Sequence, residues 1–173
     1  MAYISTLLAL LTIIGQALFV LTILGLIVKK SNVWTSFLKN KAVWLILLVS
    51  LIAMLGSLYF SDILGYEPCK LCWYQRIAMY PMVLLAIIAL IKRDNNVTRY
   101  TLWLSLIGGF IALNHYILQR ASVSLLPCPA VGYSASCSQV FTLQFGYITI
   151  PLMALTSFVL IITLSLLARR NHY

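Results

Sequence analysis

Long apolar runs separated by short polar breaks dominate this chain. The runs lie at roughly Tyr3–Val28, Ala42–Phe60, Trp73–Ile91, Tyr100–Leu118 and Gly146–Ala168. Each is near the ~20 residues that a helix needs to cross a ~30 Å hydrocarbon layer. Periodicity does not define them, because a lipid-facing helix is apolar all round; length and flanking charge do. The pattern predicts an all-α, polytopic membrane protein. Pro81 and Pro151 fall inside two runs and are expected to mark kinks, which neighbouring helices can tolerate in a membrane. The first run lacks the basic n-region and small-residue cleavage pattern of a signal peptide, so it reads as a retained helix. Ser31–Lys41 reads as a surface segment, with Trp34 and Trp44 as interfacial aromatics.

Composition agrees. The 173 residues are 62% hydrophobic and 9% charged, with mean hydropathy +1.00, whereas a soluble domain carries about 25% charged residues. The net charge of +9 would suggest nucleic acid in a soluble protein. Here the cations sit in alternate breaks: Lys29, Lys30, Lys39 and Lys41; then Lys92, Arg93 and Arg99; then Arg169 and Arg170. Only Lys70, Arg76 and Arg120 of the 12 basic residues lie elsewhere. An excess of Lys and Arg marks the cytoplasmic side. The expected topology has the N-terminus outside and the C-terminus cytoplasmic. The partner is the lipid bilayer, with no nucleic acid.

That topology puts all four cysteines on the outer side. Cys69 and Cys72 form a C-x-x-C ahead of the third run, after Pro68, which suits the chain just before a helix. Cys72 is expected in or near the first turn, where free N–H groups and the helix dipole favour a thiolate. Arg76 lies one turn deeper on the same face, and Trp73 and Tyr74 suit the headgroup belt. The result is a redox pair beside a cation that can stabilise a thiolate or a reduced, anionic acceptor. Cys128 and Cys137 lie in the long break Gln119–Phe145, a length more often functional than idle. Pro127 and Pro129 hold Cys128 extended, and Gly132 with the nearby serines loosens the remainder. The residues alone leave alternatives open. The four cysteines could be zinc ligands, although C-x8-C is wider than usual for such a site, and no metal is expected. They could also form two structural disulfides on an exported face.

With both pairs placed, the chain resembles the disulfide bond formation protein B family (DsbB), in particular its short BdbC-like branch. The resemblance rests on Ile52-Ala53-Met54-Leu55-Gly56-Ser57-Leu58-Tyr59-Phe60 and Pro68-Cys69-Lys70-Leu71-Cys72-Trp73-Tyr74-Gln75-Arg76 with Met79-Tyr80-Pro81. It continues through His115-Tyr116, the Cys128 and Cys137 pair, and Phe145-Gly146-Tyr147-Ile148-Thr149-Ile150-Pro151. It covers about Lys41 to Ala168. The run before Lys41 has no counterpart in it. Phe141–Phe145 is expected to be a remnant of the amphipathic helix found in the longer branch.

The resemblance implies a four-helix transmembrane bundle, here with an additional N-terminal transmembrane helix. Residues 1–40 would be that helix with its basic cytoplasmic loop, and residues 41–173 the redox domain. It implies a bacterial cell-membrane oxidoreductase that reoxidises an extracytoplasmic thioredoxin-like thiol oxidase (DsbA/BdbD-like) and reduces the membrane quinone pool, ubiquinone or menaquinone. The redox disulfides would be Cys69–Cys72 and Cys128–Cys137. Cys128 would be attacked by the partner, with Cys137 its mate; Cys69 would exchange with the second loop, and Cys72 would lie beside the quinone. Arg76 would bind the quinone. His115 is a second quinone-site candidate, as an ionisable residue within a membrane helix. Gln75 and Asn114 read as helix-orienting neighbours and His172 as uninvolved. Two competitors remain: a vitamin-K-epoxide-reductase-like protein, in which the loop pair precedes the C-x-x-C, and a non-enzymatic membrane protein with static disulfides.

Overall fold

The computed structural model describes residues 2–27, 32–94, 96–121, 128 and 135–169. Lys29, Lys30, Pro127, Pro129, Gly132, Arg170 and His172 lie outside them. The described elements are α1 (Ala2–Ile27), α2 (Asn32–Asn40), α3 (Ala42–Leu58), α4 (Lys70–Lys92), α5 (Val97–Ala121) and α6 (Ile150–Arg169). A π-helical turn, Tyr59–Ile63, extends α3. Five segments are long and apolar enough to cross a membrane: α1, α3 with its π turn, α4, α5 and α6. The all-α, polytopic expectation holds, and each helix starts and stops within a few residues of its apolar run.

α5 packs along α6 and α4, α3 packs against α4 and α6, and α1 packs on α6. Phe158, Ile46, Met82, Ile161, Ala78, Ala86 and Ala112 form the shared core. Lipid tails are as apolar as these side chains, so close packing and interhelical hydrogen bonds must hold the helices together. Gly108 shows the closeness: a Cβ there would overlap the Phe158 ring and lie 3.0 Å from the Ala78 Cβ. Thr101 on α5 bonds Ser165 on α6, Oγ1 to Oγ at 3.1 Å. Large apolar side chains such as Leu84, Ile91, Trp103 and Phe110 point outward, which suits contact with lipid.

Three local expectations are corrected. Residues 32–40 form a helix, α2, with polar and apolar faces. Its Trp34 stacks on Phe37 and donates Nε1–H to Thr22 on α1 at 3.4 Å. Pro151 lies in the first turn of α6, where a missing N–H breaks no helical bond, so no kink needs it. Phe141–Phe145 is not helical. The chain there turns through Phe145 (φ 51°) and Gly146 (φ 76°) to close an isolated bridge between Gln144 and Ile148. α4 runs through Pro81 as one helix.

Candidate functional site

Cys69 occupies the N-cap of α4 in extended conformation, and its sulfur accepts from the Cys72 N–H at 3.4 Å. Free N–H groups of a first turn need such an acceptor, so the sequence Pro68-Cys69 starts the helix and presents a sulfur to it. The thiol that receives this bond is therefore Cys69, and Cys72 is its donor. The two sulfurs are 3.3 Å apart. Cys69 is buried and Cys72 half-buried. The Cys69 thiol is held down to about 4, first by the hydrogen bond from the Cys72 thiol, then by the His115 ring and the Cys72 N–H, against the opposing effect of burial.

His115, on α5, sits between the two cysteine pairs. Its Nε2 lies 3.1 Å from the Cys137 carbonyl oxygen and 3.6 Å from the Cys69 sulfur. Its Nδ1 lies 3.0 Å from Nε2 of Gln75, on α4. With a proton on Nε2 and the Gln75 amide donating to Nδ1, all three contacts can be hydrogen bonds. Gln119, one turn on, donates to the Gln139 carbonyl at 2.9 Å. α5 thus holds the chain around Cys137 over the start of α4.

Cys128 and Cys137 are joined as a disulfide, with Cα atoms 6.1 Å apart. Cys69, Leu71 and Cys137 form a small buried cluster, with Cys72 and Cys128 packed against it. The Cys69 sulfur, a His115 ring nitrogen and the Cys137 sulfur all lie within 4.8 Å of one another. These are zinc-type donors, but the Cys137 sulfur is already bonded to Cys128. What the arrangement offers is exchange: one disulfide sulfur close to a thiol of the other pair.

On its other side Cys72 borders a cavity of about 290 Å³. Cys72, Arg76 and Tyr80 follow one another at i, i+4 and i+8 along α4, and all three line it. Arg76 donates Nε–H to the Ser57 hydroxyl at 2.9 Å and Nη2–H to the Ser57 carbonyl at 3.0 Å. Its guanidinium lies 5.3 Å from the centre of the Trp73 ring. Both acceptors are neutral, and among the described residues the remaining guanidinium N–H donors meet no other acceptor. The Tyr80 hydroxyl is buried and has no hydrogen-bond partner among the described residues. Phe60, Tyr66 and Phe141 stack in sequence, with centroids 6.1 and 4.9 Å apart, and line the cavity too. A cation with spare donors, an unpartnered hydroxyl, a thiol, and aromatic and aliphatic walls are a fit for a quinone.

The site residues expected from the sequence therefore fall into two adjoining places. Cys69, Cys72, Cys137 and His115 meet at the start of α4, and Cys72 and Arg76 border the large cavity. His115 lines a small cleft with Cys69 and Cys72, apart from the walls of the larger cavity. Sequence reasoning assigned no role to Ser57 or Tyr80, although both stand in the stretches that carry the resemblance. A signal was available for Tyr80 alone, whose helical phase repeats the Cys72–Arg76 step; Ser57 stands on α3 and shares no such step.

Comparison with known proteins shows the family. Residues 39–168 match the family model "Disulfide bond formation protein DsbB". The chain is 52% identical over 124 residues to a "Probable disulfide formation protein C" of Halalkalibacterium halodurans, covering 72% of this chain and 90% of that one. It is 46% identical over 129 residues to "Disulfide bond formation protein C" of Bacillus subtilis, covering 72% and 91%. A "Probable disulfide formation protein" of Oceanobacillus iheyensis is 40% identical over 138 residues, covering 78% and 95%. No solved structure matches the chain.

Proposed function

Because this chain belongs to the disulfide bond formation protein B family, we propose that it drains electrons from an extracytoplasmic thioredoxin-like oxidase into the membrane quinone pool. Disulfide formation at a membrane is the activity that the family carries; the partner, the acceptor and the order of steps are our reading. The observation that carries it is the approach of the Cys69 and Cys137 sulfurs to within 4.8 Å, with Cys72 facing a separate cavity.

In this reading, one thiolate of the reduced partner attacks Cys128 and breaks the Cys128–Cys137 bond, releasing Cys137 as a thiolate. The partner's second thiolate resolves the mixed disulfide, so the partner leaves oxidised and the loop pair is a dithiol. Cys137 then attacks Cys69 in an oxidised Cys69–Cys72 pair, and Cys72 leaves as a thiolate. Attack of Cys128 on Cys137 restores the loop disulfide and frees Cys69, so two electrons now reside on Cys69 and Cys72. The low Cys69 pKa favours this release, because a stabilised thiolate leaves faster. His115 holds Cys69 and the Cys137 carbonyl in register. Cys72 and Arg76 border the space where a quinone would be held, and when bound it would supply the two-electron, two-proton acceptor that lets Cys69–Cys72 reform. Arg76, oriented by Ser57, would hold its oxygen, and its planar fork suits that task.

The charge pattern supports extracytoplasmic cysteine loops and a cytoplasmic C-terminus, with residues 41–173 as the redox domain and 1–40 preceding it. The division of labour gives the test. Cys72→Ser should abolish quinone reduction by any reductant. Cys128→Ser should block the protein partner yet still let a small dithiol reduce quinone through Cys69–Cys72. Loss of that small-dithiol route in Cys128→Ser would show the order to be wrong.

A further inference from the structure

α1 lies outside the matched residues 39–168, yet it walls the cavity beside Cys72 and Arg76. Leu8, Leu11, Thr12, Gly15 and Leu18 line it, a spacing that keeps them on one helical face. From Leu8 to Leu18 a helix rises about 15 Å, so the cavity runs lengthwise through the bundle. Leu8 packs at the level of Gly56, 3.3 Å from where a Cβ would stand, next to the Ser57 that anchors Arg76. Gly15 sits against Leu160 and Thr156, at 3.0 and 3.3 Å on the same measure, about two turns deeper. Cys72, Arg76 and the unpartnered Tyr80 hydroxyl all come from α4, whereas α1 contributes mainly aliphatic surface. Gln16 fixes the helix: its Nε2 donates to Thr156 Oγ1 at 3.3 Å and its Oε1 accepts from the Tyr147 hydroxyl at 3.1 Å.

A quinone ring would need only the end near Cys72 and Arg76. We propose that α1 closes the rest of the cavity into a channel for the isoprenoid tail of the acceptor, making tail length a determinant of which quinone is used. This rests on the quinone reading above. Without α1, the faces of α3 and α6 that it covers would meet lipid, and a tail there would exchange freely with acyl chains. With α1, the tail is held by packing, which is the source of discrimination where both alternatives are apolar.

The experiment uses the full chain in lipid nanodiscs with a synthetic quinone bearing a diazirine on its third isoprene unit. A parallel arm carries the diazirine on a phospholipid acyl chain. Photolysis should attach the quinone probe to α1 between Leu8 and Leu18, and unlabelled long-tail quinone should suppress this better than a tailless one. Labelling confined to α3–α6 would overturn the proposal. So would acyl-chain labelling of that α1 face that excess quinone does not displace, since the channel would then be a lipid site. Thr12→Phe, which fills the channel, should lower the ratio of long-tail to short-tail affinity about tenfold, as overpacking of a fitted space does. Leu10→Phe, on the exposed side of α1, should leave the ratio unchanged. An equal loss for both quinones in Thr12→Phe would also count against the channel. Failure of the quinone reading itself looks different: wild-type cysteines would exchange with dithiols while no quinone is reduced.

Discussion

Ser57→Ala isolates the orientation of Arg76 from its charge. In the wild type, Arg76 is held at two points by one residue, Nε to the hydroxyl at 2.9 Å and Nη2 to the carbonyl at 3.0 Å. Removing the hydroxyl leaves the second bond, so the guanidinium keeps its position but can swing about it. A hydrogen bond to a charged group contributes about 1.5–3 kcal/mol. Both residues are only half-buried, so water can replace part of the loss and the low end applies. At 1.4 kcal/mol per factor of ten, the apparent quinone KM should rise about tenfold, while exchange between the cysteine pairs is unchanged. Ser57→Thr, which keeps the hydroxyl, should restore most of it. Steady-state quinone reduction with a small dithiol, run as a cycle with Arg76→Lys, reads the coupling. A lysine lacks the fork that takes both bonds, so it should recover only part of the function lost in Arg76→Ala. Adding Ser57→Ala to Arg76→Lys should cost little more. Fully additive effects, or wild-type kinetics in Ser57→Ala, would refute the idea that Ser57 aims the cation.

Further outcomes follow from the same geometry. In reduced protein lacking Cys128 and Cys137, thiolate absorbance should appear as pH rises through about 4, far below the ordinary thiol range. A depressed native pKa means that this group stabilises the reduced fold fully above its unfolded value and loses that contribution as pH falls through 4; a first transition near the ordinary range would contradict the N-cap geometry. Gly108→Ala should lower thermal stability by about 1–3 kcal/mol, the usual range for overpacking a core, because the new methyl meets the Phe158 ring and Ala78; a denaturation midpoint equal to wild type would show that Phe158 can move aside. A membrane-impermeant maleimide should label the cysteines of reduced, intact cells, and labelling of either pair only after lysis would refute the proposed sidedness.

Much of this protein was legible in the chain because lipid imposes a coarse rule. A helix must be long and apolar to cross, so α1, α3, α4, α5 and α6 stand in the sequence almost at their observed bounds. Cys69, Cys72 and Arg76 were legible together because they are neighbours along one helix start, where spacing alone sets geometry. What the sequence could not show is which side of each helix faces inward, since helices that are apolar all round carry no stripe to read. That is why α1 could be recognised as a span but not as a cavity wall, and why Ser57, on another helix, gave no sign of facing the space that Arg76 and Tyr80 share. The meeting of Cys69 with Cys137, and His115 between them, joins groups far apart in the chain and depends on how α5 packs on α4. Even the choice of which thiol caps α4 waited on the backbone at Cys69, because the residue at which the helix starts decides which sulfur meets the free N–H groups.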